Sequence, residues 1–376
     1  MKVEVTSAEL YADEHLRIWK NHLEPEGGAA PGAKRVSVVT GIHGDELEGQ
    51  FVAFELARRI QASPEHLAGT VDIYPAINPL GISSIMRSVP LFDLDMNRIF
   101  PGNEEGDLVE HIARAVVDDV AGSDLAFDIH ASNVFLTEIP QIRINEVTAE
   151  RLVPIAMKAN VDYLWVHSSA TVLRNTFAYS LNEIGTPTLV VEMGVGMRIT
   201  REYGHQLVDG IMNLMCDLGV WTGPAPEGIR RPIISTDGEV SFINADAAGI
   251  FLPSVSHENF VHEGDELGII ADATTGEVKQ VLISPVDGLL FTLRDYPVVY
   301  PGSLIARILG GVDEEGRSTG AILVTQKDYQ DMRDRAKLAR EVEEEERAWR
   351  EKREAEERAR SGKRPEADRR DEDEEA

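Results

Sequence analysis

The chain has 376 residues, a formal net charge of −28 and a single cysteine, Cys216. That length supplies a core for two domains, the acidity argues against a nucleic-acid partner because it repels phosphate backbones, and one cysteine excludes an intramolecular disulfide and a thiolate-rich metal site. No run of about 18 apolar residues is present, so no membrane association is expected, and MKVEVTSAELYADEHLRIWK lacks a signal-peptide pattern, which makes the cytoplasm the expected location.

In chain order, RVSVVTG (35–41) reads as a buried strand and ELEGQFVAFELARRI (46–60) as a helix, with Phe51, Phe54, Leu56 and Ile60 among its apolar positions. TVDIYPAINP (70–79) is strand then turn, 78–102 a long loop, and DLVEHIARAVVDDVA (107–121) a helix. LAFDIHAS (125–132) is a strand, RLVPIAMKAN (151–160) a helix, DYLWVHS (162–168) and TPTLVVEMGVG (186–196) strands, and 201–217 a helix that takes Cys216 into the core. Alternating strands and helices predict an α/β domain over 1–222, with a mostly parallel or mixed sheet flanked by helices. WTGPAPEGIRRP marks a boundary, with 223–232 as linker. Closely spaced turn signals (EGD, TTGE, PVDG, YPG) predict a small all-β barrel or sandwich over 233–325. Residues 326–376 read as a charged helix fraying into disorder, its Glu343–Arg347 and Glu354–Arg358 pairs giving about 0.2–0.5 kcal/mol each.

Ligands bind outside the carboxyl ends of strands in α/β sheets, so the polar residues there carry the chemistry. In GIHGDELEG, His43 follows the first strand, and Glu46 comes three residues later at the entry to the helix. His130 ends the strand DIHAS. Two imidazoles and a carboxylate leave a fourth position for water, the pattern of a catalytic zinc site. Asp128 is spaced to orient His130 through its second nitrogen. Glu192 ends a strongly apolar strand, where burial raises a carboxyl pKa and suits it to act as general base. The 78–102 loop carries Arg98 and Asn97, suited to grip a carboxylate, and Arg87, suited to polarise a scissile carbonyl. An acidic protein needs such local cations if its substrate is anionic.

The ordered set G-x-H-G-x-E, N-P-x-G, D-x-N-R-x-F, D-x-H and V-E-x-G closely resembles the succinylglutamate desuccinylase/aspartoacylase family, over about residues 35–310. The resemblance implies a zinc carboxypeptidase-like fold with a β-rich C-terminal domain. It implies one Zn2+ per subunit held by His43, Glu46 and His130, with Glu192 as base and proton shuttle. Asn97 and Arg98 would hold the substrate carboxylate, Arg87 would face the scissile carbonyl, and Arg174 would face the acyl group. SPVDGLLFTLRDYPVVYPGSLIARI also resembles biotinyl and lipoyl carrier half-barrels, but its turn offers Asp287 and no lysine, so a domain that narrows access to the site is expected instead. His257 and His262 read as surface or turn residues.

The expected function is therefore a zinc-dependent amide hydrolase, a deacylase of small anionic N-acyl amino acids or related N-acyl amines. A carboxypeptidase-like peptide hydrolase and a non-catalytic binding or scaffold protein are the alternatives. The acyl group and the amine are not readable from the sequence, and a homo-oligomer is compatible with it.

Overall fold

A computed structural model of the chain describes residues 1–168, 173–236 and 239–310. The expected tail 326–376, and residues 311–325 of the expected β domain, lie outside the described residues. The chain opens with an antiparallel pair, β1 (Lys2–Glu9) and β2 (His15–Leu23). Then come β3 (Arg35–Thr40), α1 (Glu48–Ala62), β4 (Thr70–Tyr74), α2 (Pro79–Ser84), α3 (Leu108–Val120), β5 (Leu125–Ala131) and β6 (Leu136–Asn145). They are followed by α4 (Ala149–Ala156), β7 (Tyr163–His167), α5 (Phe177–Glu183), β8 (Thr188–Gly194) and α6 (Arg201–Leu218). Strands β4, β3, β5 and β8 run parallel at the centre, with β2 added antiparallel outside β4 and β6 antiparallel outside β8. The sheet is mixed and flanked by helices, the α/β architecture expected from the sequence.

Both faces of the central strands are covered, which is why they read as unbroken apolar runs. Successive side chains of β3 point to opposite sides: Val36 and Val38 pack with Leu56 of α1 and Ile211 of α6, whereas Val39 packs with Ile112 and Val116 of α3. Helix α3 starts at a capping box formed by Asp107 and Glu110. Helix α1 turns Val52, Leu56 and Ile60 inward, one i,i+4 stripe, and leaves Phe54 62% exposed, so Phe54 is not a core position as its sequence context suggested. Cys216 is half-buried against the same core.

The C-terminal part contains β9 (Ile233–Thr236), β10 (Val240–Asn244), β11 (Gly249–Pro253), β12 (Phe260–Val261), β13 (Glu266–Ala271), β14 (Val278–Ile283), β15 (Gly288–Arg294), β16 (Val298–Val299) and β17 (Leu304–Gly310). Strands β14-β13-β11-β16 form a separate four-stranded sheet. The others join the first sheet. Strand β9 pairs parallel with β7, and β15 pairs antiparallel with β6. The junction is β6, whose Leu136–Glu138 end pairs with β15 while Gln141–Asn145 pairs with β7. Its register shifts between Glu138 and Gln141, across Pro140, which has no N–H for the ladder. Ile139, Tyr163, Trp165, Phe291 and Leu309 close the seam as one apolar cluster. Among the described residues, no helix is long and apolar enough to cross a membrane.

Candidate metal centre and active site

The loop after β3 carries the first two chemical groups. Its tight path depends on Gly44, where a Cβ would lie 2.0 Å from the Gly81 carbonyl carbon of α2. The loop folds back so that His43 Nδ1 is 2.7 Å from Glu46 Oε1. His130, at the end of β5, places its Nδ1 2.8 Å from Glu46 Oε2. The backbone N–H of Ala131 also donates to Glu46, at 3.2 Å. All three side chains are buried, and their ligand atoms lie within 4.8 Å of one another. Among the described residues this is the one His/Cys/Asp/Glu group of that kind.

Each imidazole has a carboxylate behind it. Asp95 Oδ1 is 3.1 Å from His43 Nε2, and Asp128 Oδ1 is 3.0 Å from His130 Nε2. Burial pushes both histidines down, but Asp95 and Glu46 hold His43 above its usual pKa, and Asp128 and Glu46 hold His130 well above it. Burial opposes ionisation of Glu46, yet His130 and His43 keep it far below the carboxylate range. Two imidazole nitrogens thus converge on one buried, ionised carboxylate, the donor set that a divalent cation would complete. The group could therefore hold a metal ion, with Asp95 and Asp128 fixing the two rings from behind.

Glu192 lies beside His130 in the parallel register of β8 and β5, so both side chains leave the same face of the sheet. It is 16% exposed, and Arg143 Nη1 of β6 is 3.2 Å from its Oε1. Burial raises its pKa and Arg143 opposes the rise, leaving it at about 7. The 78–102 loop keeps little regular structure beyond α2 and a single 3-10 turn, Met96–Arg98, capped by Asp95. From that loop Arg87 reaches Glu46 at 3.0 Å and Asp95 at 3.3 Å. Asn97 accepts the Phe177 backbone N–H through Oδ1 at 2.9 Å, which directs its NH2 elsewhere. Arg98 donates to the Asn97 carbonyl at 2.7 Å.

His43, Glu46, Arg87, Asn97, Arg98, His130 and Glu192 all line one cavity of about 540 Å3. Arg174 does not join them. It lines a neighbouring cavity of about 390 Å3, and the two share Arg143, Leu173, Thr176 and Val190 as a partition. Three charged groups in the wall went unrecognised in the sequence: Glu138 and Arg143 of β6, and Arg307 of β17. Asp95, which sits behind His43, was noticed only as part of a motif. The signal for β6 was the alternation in TEIPQIRIN, of whose polar residues Glu138 and Arg143 line the cavity. His257 is half-buried, with Nδ1 3.5 Å from the Tyr203 hydroxyl of α6, rather than an ordinary surface residue. His262 is exposed, 3.6 Å from Asp265 in a turn.

The family model of the succinylglutamate desuccinylase/aspartoacylase catalytic domain matches residues 32–217. The chain is 25% identical over 282 residues to N-alpha-acetyl-L-2,4-diaminobutyric acid deacetylase of Halomonas elongata, covering 73% of this chain and 82% of that protein. In fold it is similar to a succinylglutamate desuccinylase/aspartoacylase from Rhodobacter sphaeroides, at TM-score 0.68 and 22% identity, covering 82% of this chain and 95% of that one. It is likewise similar to product-bound ectoine utilization protein EutE from Ruegeria pomeroyi, at TM-score 0.69 and 21% identity, covering 81% and 92%. The motifs, the sheet and the matched catalytic domain agree: the chain belongs to the succinylglutamate desuccinylase/aspartoacylase family.

Proposed function

We propose that this protein is a zinc-dependent deacylase that cleaves the amide of a small anionic N-acyl amino acid or a related N-acyl amine. The observation that carries the reading is the placement of Glu192 beside His130 on the same sheet face as the buried His43–Glu46–His130 group. The donor set, two nitrogens and one carboxylate oxygen, suits zinc. When bound there, zinc would act as a Lewis acid and make water a nucleophile near neutral pH. His43, Glu46 and His130 would hold it, with Asp95 and Asp128 setting the rings. Glu192 takes a proton from the attacking water and delivers it to the leaving nitrogen, so that a carboxylic acid and a free amine result. Arg87 stabilises the charge that develops on the amide oxygen. Arg98 and the Asn97 NH2 hold the substrate carboxylate.

The cavity volume and its Arg307 wall, contributed by the C-terminal strands, favour a small substrate over a peptide. The Halomonas elongata relative, named for a small N-acetylated amino acid, supports the same choice. The test is a panel of N-acetyl and N-succinyl amino acids, including N-alpha-acetyl-L-2,4-diaminobutyric acid, scored for released amine with the wild type and with Glu192→Gln. Cleavage of at least one member by the wild type, lost in Glu192→Gln, is expected. Cleavage of C-terminal residues from peptides, with the panel untouched, would favour the carboxypeptidase alternative.

A further inference from the structure

Glu138 has no role in the chemistry above, yet it is 1% exposed and sits where β6 leaves one part of the sheet for the other. Its carboxylate is held by three donors. Arg143 Nη2 donates to Oε2 at 2.8 Å, Arg307 Nη1 donates to Oε1, and the Thr292 hydroxyl donates to Oε1 at 3.4 Å. Both guanidinium groups lie over Trp165, 5.7 and 5.5 Å from the ring centroid. The Nε atoms of Arg143 and Arg307 are buried without hydrogen-bond partners, so the two groups are held by these ion pairs, by Trp165 and, for Arg307, by Phe242 at 5.7 Å. Charges of alternating sign thus run from β17 to the base: Arg307, Glu138, Arg143, Glu192.

The sequence of signs matters because the members lie mostly away from water, Glu138 fully buried and the other three partly exposed. Two carboxylates, Glu138 and Glu192, face two guanidinium groups. Remove Arg307, and both carboxylates compete for Arg143 alone. Arg143 is already nearer to Glu138, at 2.8 Å, than to Glu192, at 3.2 Å. The competition would draw it away from Glu192.

We infer that Arg307, supplied by the C-terminal β region, is a positioning residue for the reaction: by neutralising Glu138 it leaves Arg143 to hold Glu192 in place. This rests on Glu192 being the base. The role is not that of a substrate ligand, so it acts on kcat. It also gives the β region a part in the chemistry beyond narrowing the entrance.

The test uses the full-length, zinc-loaded protein and the panel substrate it cleaves fastest. Arg307→Met should lower kcat about tenfold, within the range for groups that orient a site residue, with KM unchanged. Arg307→Lys should retain most of the activity. The deciding variant is Glu138→Gln combined with Arg307→Met, which removes one charge of each sign and should recover kcat. A merely structural role gives additive losses instead. An unchanged kcat in Arg307→Met, a loss confined to KM, or additive losses in the double variant would overturn the inference. If Arg307→Met does not fold, the double variant decides alone, retained kcat supporting the inference and lost kcat refuting it. Activity persisting in Glu192→Gln would instead remove the reading of the base, which separates the two failures.

Discussion

At the scale of single residues, Glu192 is set by opposing influences. Burial raises its pKa, while Arg143 and His130 lower it, and the balance leaves it at about 7. In the proposed role of general base Glu192 must be ionised, so kcat/KM should fall as pH drops through this region, and a bound cation would draw the limb lower. Arg143 favours the charged form, so Arg143→Gln should move the acid limb to higher pH. A pH–rate profile of both proteins checks the sign. A limb that stays in place, or moves down, would mean that Arg143 does not face the ionised base. The histidines show the same logic in reverse. Their flanking carboxylates favour protonation, so protons compete with a metal for the Nδ1 atoms.

At the scale of elements, the centre depends on one tight loop. Any side chain at position 44 meets the Gly81 backbone rather than a flexible group. Gly44→Ala should therefore shift His43 relative to Glu46 and His130. A displacement of about 1 Å in a catalytic group costs on the order of a hundredfold in rate. Zinc content and kcat should both fall, while melting of the protein changes far less; full zinc content with wild-type kcat would show that the loop yields. The sequence made this loop visible, because GIHGDE combines ligand types with glycines between a strand and a helix. The central strands and α1, α3 and α6 were visible for a related reason, since burial on both faces demands unbroken apolar runs. The hairpin β1–β2 was not, because KVEVTSAE is charged and half-buried at the sheet edge. Nor was β6, whose branching between β7 and β15 is a tertiary fact that no local pattern carries. Arg174 illustrates the same limit. Resemblance suggested an acyl contact, but Arg174 lines the neighbouring cavity, which shares Arg143, Leu173, Thr176 and Val190 with the first.

At the scale of the molecule, one sheet runs from the N-terminal hairpin through the catalytic strands and into the C-terminal part. Residues from the loop after β3, from β5, β6, β8 and β17, and from the 78–102 loop line one cavity. An acidic chain of net charge −28 thus places Arg87 and Arg98 in the wall of this cavity. Cations gathered there offset long-range repulsion of an anionic substrate, which falls off over about 10 Å at 0.1 M salt. The proposed function requires a metal held by His43, Glu46 and His130, and the most direct measurement is amine release before and after chelation. The account predicts that the purified protein carries zinc at one per chain, loses activity with the metal, and regains it when zinc returns. Undiminished hydrolysis by the metal-free protein would contradict it.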